Sequence, residues 1–124
     1  MNRRAEIVWN RAALERGGSD PREGDVALSA TILAHSLIMD GGVLHALDVL
    51  SDEEFVGAAA GYASFGFADV AALLVRAQKA ATSGELPEEA DATFDAEYAG
   101  CIPDDGRLFA AFETDFDRRP DRYA

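Results

Sequence analysis

Reactive chemistry has few places to start in this chain. His35 and His45 are the two histidines, Cys101 is the one cysteine, and twenty-three Asp and Glu supply the carboxylates. A metal pair on a helix needs ligands three or four residues apart, and two histidines ten residues apart do not give that spacing. Both histidines are therefore expected to be structural or surface residues, with no metal bound. Cys101 follows "AEYAG" among acids, which raise a thiol's pKa, so an inert thiol is expected. The run "DATFDAEYAGCI" starts like a calcium loop with Asp91, Thr93 and Asp95. It then places Ala96 where the turn glycine belongs and Ile102 where the closing Glu belongs. The pair Gly41–Gly42 lacks the Lys and further glycines of a phosphate loop; a tight turn between helices, with Asp40 as its cap, explains it. Paired acids could hydrolyse glycosidic bonds, but nothing selects one pair from so many. A pocket near Asp40 would need His35, Asp40, His45 and Tyr62 to converge. No catalytic residue and no cofactor is expected.

The carboxylates are the stronger signal. Net charge is −12, and residues 85–117 alone hold eleven acids against Arg107, for −10. The stretch "PEEADATFDAEY", Pro87 to Tyr98, has five acids and no Lys or Arg. Glu88 and Glu89 follow Pro87, and Asp104 and Asp105 follow Pro103, so these four suit the positive start of a helix. Asp91, Asp95, Glu97, Glu113, Asp115 and Asp117 have no such account. With Phe94 facing the core, Glu88, Asp91 and Asp95 fall on one flank at about 120°, 60° and 100°, and Glu97 falls on the other. Glu113 and Asp117 are i,i+4 neighbours, and each like-charged pair of that kind costs roughly 0.2–0.5 kcal/mol. Direct nucleic-acid binding is disfavoured, because that needs cations against phosphates. A basic partner is favoured.

Helical periodicity places these groups. A first helix is expected around Arg3 to Arg16, with Ile7 and Leu14 seven apart. After the loop "GGSDPREGD", a second begins near Asp25, with Val26, Ala30, Leu33, Leu37 and Ile38 on one face. A short third helix follows the Gly pair. Ser51 and Glu54 form a capping box ahead of Phe55, Ala59, Tyr62 and Ala63. Beyond Gly66, a breaker by type, Val70, Leu73, Leu74 and Ala77 mark the next helix. Ala90, Phe94, Tyr98 and Cys101 turn inward on the acidic one, and Leu108, Phe109, Phe112 and Phe116 on the last. No alternating β-branched runs appear. The chain reads as an all-α, single-domain bundle, residues 1–124, of about six or seven helices. With 48% hydrophobic residues it is not compositionally disordered. It has no apolar run of the roughly 20 residues that a span needs, and "MNRRAEIVWN" lacks the apolar core of a secretion signal, so a cytoplasmic protein is expected.

The wording "DGGVLHALDVLSDEEFVGAAAGYASFGFADVAALLVRA", then "FDAEY" and "LFAAFETDFDRRPDRY", resembles the DNA-mimic-protein-nineteen family, a bacterial group of small acidic helical domains. The similar elements run from Asp40 to Tyr123. They are a Gly-Gly opening a helix, a small-residue helix ending at Gly, an A-x-L-L-x-x-A helix and an acidic apolar-Asp-x-x-aromatic step. The resemblance implies an α-helical domain, a homodimer, and a negative surface that occupies the DNA-binding face of a transcription factor. That expectation rests on Glu88, Asp91, Asp95, Glu97, Glu113, Asp115 and Asp117 as a partner-binding surface for a basic, DNA-binding protein. The alternatives are an immunity-type inhibitor of a basic toxin or nuclease and an assembly domain without mimicry.

Overall fold

A computed structural model describes residues 3–124. Among them the chain forms α1 (Arg3–Glu15), α2 (Glu23–Gly41), α3 (Val43–Val49), α4 (Asp52–Ser64), α5 (Ala68–Ser83), α6 (Ala90–Cys101) and α7 (Asp105–Arg118), then a 3-10 turn at Pro120–Arg122. No strand is present among the described residues, and the all-α expectation holds. α2 is the central element, packed against α1, α3 and α4 and touched by the final 3-10 turn. α5 lies against α4 and α3; α6 closes over α5 and α3, and α7 sits on α1. No helix among the described residues is long and apolar enough to cross a membrane.

Where a helix is polar on all but one side, sequence periodicity finds the buried face. On α5, Val70, Leu73, Leu74 and Ala77 are all buried, and on α7 so are Leu108, Phe112 and Phe116. Fully burying such a Leu, Val or Phe contributes about 1.5–3 kcal/mol. Phe112 packs edge-on against Tyr123, 5.4 Å between ring centroids, and Trp9 of α1 meets Phe109 at 5.0 Å.

Other faces differ from expectation. On α1 the expected pair Ile7 and Leu14 points to water, 54% and 82% exposed, while Ala5, Val8 and Ala12 are buried. On α2 most of the expected stripe lies outside the core: Val26 is 55% and Leu33 38% exposed, Ala30 and Leu37 are half-buried, and Ile38 alone of the five is buried. The inward line is Leu28, Thr31, Ile32, Ala34, His35 and Ile38. α2 is apolar around most of its circumference, so period alone does not choose a face. Its buried side includes three polar residues, each with its own partner: Asp25 accepts from Arg11 at 3.0 Å, Thr31 donates to the Ala27 carbonyl at 2.8 Å, and both His35 ring nitrogens are bonded. On α4 the buried line is Phe55, Ala58, Gly61 and Tyr62 rather than one through Ala59 and Ala63. Gly61 sets that phase: a Cβ there would stand 2.7 Å from the Ala27 carbonyl oxygen, so α4 reaches α2 only through a residue without a side chain.

The helix starts are capped much as their sequence suggests, with two shifts. Ser51 accepts from the Glu54 N–H at 3.1 Å while Glu54 accepts from the Ser51 N–H at 2.9 Å. That pair of bonds, the backbone one first, holds the Glu54 carboxyl below its ordinary value. α6 begins at Ala90, three residues after Pro87, so Glu88 and Glu89 stand in the preceding turn. Asp104 is the N-cap of α7, accepting from the Arg107 N–H at 2.9 Å, and Asp105 is its first helical residue.

Candidate functional site

The Gly41–Gly42 turn is built by a residue from the other half of the chain. α2 runs through Gly41, and Gly42, at φ +96°, turns the backbone into α3. The expected cap, Asp40, stays in the last turn of α2 with its side chain 82% exposed, 4.0 Å from His45. The cap comes from α6: Asp95 Oδ1 accepts from the Val43 N–H at 2.8 Å. An added Cβ on Gly42 would lie 2.8 Å from Asp95 Oδ2. Gly42 is thus required twice, by its left-handed φ and by the carboxylate pressed against it.

Asp95 is half-buried for that reason, and it is one of three expected surface acids that the fold uses internally. Glu97 pairs with Arg76 of α5, whose guanidinium this bond holds above its ordinary pKa. Asp115 is 8% exposed, a correction to its place on the surface. It accepts from Arg119 Nε at 3.0 Å, from Arg122 at 2.6 Å and from the Tyr123 hydroxyl at 2.6 Å. Burial alone would raise the Asp115 carboxyl. Hydrogen bonds from Tyr123 and Arg119, with the charges of Arg122 and Arg119, outweigh it and hold the carboxyl low. Arg122 extends the cluster to Glu23 at 3.1 Å and to Ser64 at 3.0 Å.

Four of the expected acids remain outward or half-outward: Glu88 and Asp91 are exposed at the start of α6, while Glu113 is half-buried and Asp117 exposed on α7. α6 packs on α5 and α3 and α7 on α1, so the two pairs do not form one continuous face. Toward α6, however, the acids extend further than expected. Glu85, Glu88, Glu89 and Asp91 are all exposed, and none has a cationic partner among the described residues.

The pocket imagined around Asp40 does not assemble, because Asp40 and His45 stay at the surface. Its other two members meet through a residue that sequence reasoning had placed only in the core. His35 is buried; one ring nitrogen lies 2.7 Å from the Tyr98 hydroxyl and the other 2.7 Å from Asp105 Oδ1. Tyr98 in turn lies 2.7 Å from the Tyr62 hydroxyl. A carboxylate only accepts, so Nε2–H donates to Asp105. In a neutral ring Nδ1 then accepts from Tyr98, and Tyr62 donates to Tyr98. Burial pushes both tyrosine hydroxyls far above their ordinary value. The arrangement looks like an acid–base relay, but Tyr62, Tyr98 and His35 are all buried, and only the Asp105 end meets solvent. It is a structural chain joining α4, α6, α2 and α7.

Cys101 donates to Asp69 at 3.1 Å. Burial first, then Asp69, pushes its thiol up to about 11, which makes it a poor nucleophile. Among the described residues no three His, Cys, Asp or Glu side chains gather as a metal site. Comparison with known proteins gives no matching family model, no similar curated protein and no similar solved structure.

Proposed function

We propose that the chain is a non-enzymatic binding module that holds a basic macromolecular partner through the carboxylates before and within the first turn of α6. One observation carries this reading: Glu85, Glu88, Glu89 and Asp91 fall within seven residues, all exposed and none neutralised by a cation among the described residues. Some acids are answered within the fold, as at Asp25, Glu97 and Asp115, whereas these four stand close together without a cation. Carboxylates left bare in a row repel one another, and cations from another molecule would remove that cost. The finer form is DNA mimicry, in which the partner is a DNA-binding protein and the acids stand in for phosphates. The charge spacing and the likeness of Asp40–Tyr123 to the DNA-mimic family support it. Glu113 and Asp117 form a second, separate acidic pair.

The test is affinity capture with the chain and with the double variant Glu88→Lys, Asp91→Lys, which touches no internal bond. The variant is expected to lose most of the captured basic protein, and duplex DNA is expected to compete for it, more strongly at low salt. Capture that both the variant and DNA leave unchanged refutes the module and its mimic form together. Capture lost in the variant but indifferent to DNA refutes mimicry alone, and a toxin or nuclease as the captured protein would make the module an inhibitor.

A further inference from the structure

Beside the Asp95 cap lies a cleft of about 280 Å³, lined by Ile38, Met39, Gly42, Asp95, Ala99 and Ile102. Its walls are mostly apolar, and its one charged lining group is the half-buried Asp95. Oδ1 of that carboxylate is taken by the Val43 N–H, while Oδ2 has no partner among the described residues. The cleft also sits where α2, nineteen residues long, and α6 both end, and neither carries a basic residue in its last turn. Helix C-termini gather unanswered carbonyls and the negative end of the dipole, so two such ends add to the field of Asp95. Met39, 52% exposed, stands at the rim where an aliphatic stem would lie.

We propose that this cleft receives one arginine side chain of the partner, its stem along Met39 and Ala99 and its guanidinium on Asp95 Oδ2. This rests on the reading of the chain as a module for a basic protein, and it adds a specific seat to a diffuse attraction. Arginine suits the site better than lysine. Its guanidinium is weakly hydrated, and its several N–H groups can reach a carboxylate oxygen and helix-end carbonyls together. Oδ1 stays committed to α3, so the seat persists whether or not it is filled.

The test uses the full chain and N-acetyl-arginine methylamide, followed by amide NMR, with the isosteric but uncharged citrulline compound as control. Saturable shifts are expected at Gly42, Val43, Asp95 and Ala99, with none from citrulline. Asp95→Asn keeps an oxygen for the Val43 N–H and removes the charge. It should weaken binding about tenfold or more while leaving the α3 amides in place. Shifts confined to residues 85–91, or unchanged binding to Asp95→Asn, overturn the seat. The captured protein separates this proposal from the one beneath it. Capture kept by Asp95→Asn but lost by Glu88→Lys, Asp91→Lys overturns the arginine seat and leaves the module standing; capture indifferent to both overturns the module.

Discussion

Replacing Tyr98 by Phe should cost far more than the same change at Tyr62, although each removes a single buried oxygen. The rings keep their packing in both variants, so the difference isolates hydrogen bonding. The Tyr98 hydroxyl serves two partners, His35 and Tyr62, at 2.7 Å each. Its loss strands an acceptor, His35 Nδ1, and a donor, the Tyr62 hydroxyl, both buried. Each stranded group costs about 1–3 kcal/mol, so Tyr98→Phe should destabilise by about 2–6 kcal/mol. Tyr62→Phe removes only one bond that Tyr98 accepts; Tyr98 still donates to His35, and the loss should be about 0.5–1.5 kcal/mol. Against a total stability of about 5–15 kcal/mol, the first is a large fraction and the second is not. Urea unfolding followed by circular dichroism measures both. For a domain of this size roughly 3–5 °C of Tm corresponds to 1 kcal/mol, so a central loss of about 4 kcal/mol lowers Tm by roughly 15 °C. Equal losses in the two variants, or a Tyr98→Phe loss under about 1 kcal/mol, would refute the directed chain from Tyr62 to Asp105.

Two further outcomes follow from the acids and the thiol. Asp115→Asn breaks a buried carboxylate's pairing with Arg119 and Arg122, and should cost about 3–5 kcal/mol near neutral pH. Because the folded Asp115 carboxyl is held below its ordinary value, its contribution is present above about pH 4 and is lost as pH falls through the folded value. The gap between wild type and variant in urea unfolding should therefore shrink in acid, and a gap that widens there contradicts the sign. For Cys101, a thiol raised to about 11 from 9.0 holds roughly a hundredfold less thiolate near pH 8. Iodoacetamide should modify the folded chain much more slowly than the urea-unfolded chain, and equal rates would contradict the shift.

The helices, their order and most caps were legible in the sequence, because each carries its own stripe or stop within a few residues. The face of α2 was not, because apolar side chains surround it; the one internal hint is a histidine in the middle of "VALSATILAHSLIM", which a buried helix keeps only with partners. Tyr62 and Tyr98 on inward stripes gave the matching hint, since a buried tyrosine hydroxyl needs somewhere to go. The fate of the acids was hidden for a different reason. Their partners lie on other helices or past the helix end: Glu97 meets Arg76, Asp95 meets Val43, and Asp115 meets Arg122 and Tyr123. Charge spacing along a single helix sees none of these. Glu88 and Asp91, around the start of α6, have no such partner and stay outward as their local spacing suggested, as does Asp117 on α7.

The polar chain through positions 35, 62, 98 and 105 also bears on how the molecule assembles. Its members are drawn from widely separated parts of the polypeptide: Tyr98 follows His35 by 63 positions and Asp105 follows it by 70. A nascent collapse that docks only two or three of these segments would enclose naked oxygens and nitrogens. Such partial assemblies are penalised until the last segment arrives, which favours folding in one concerted transition.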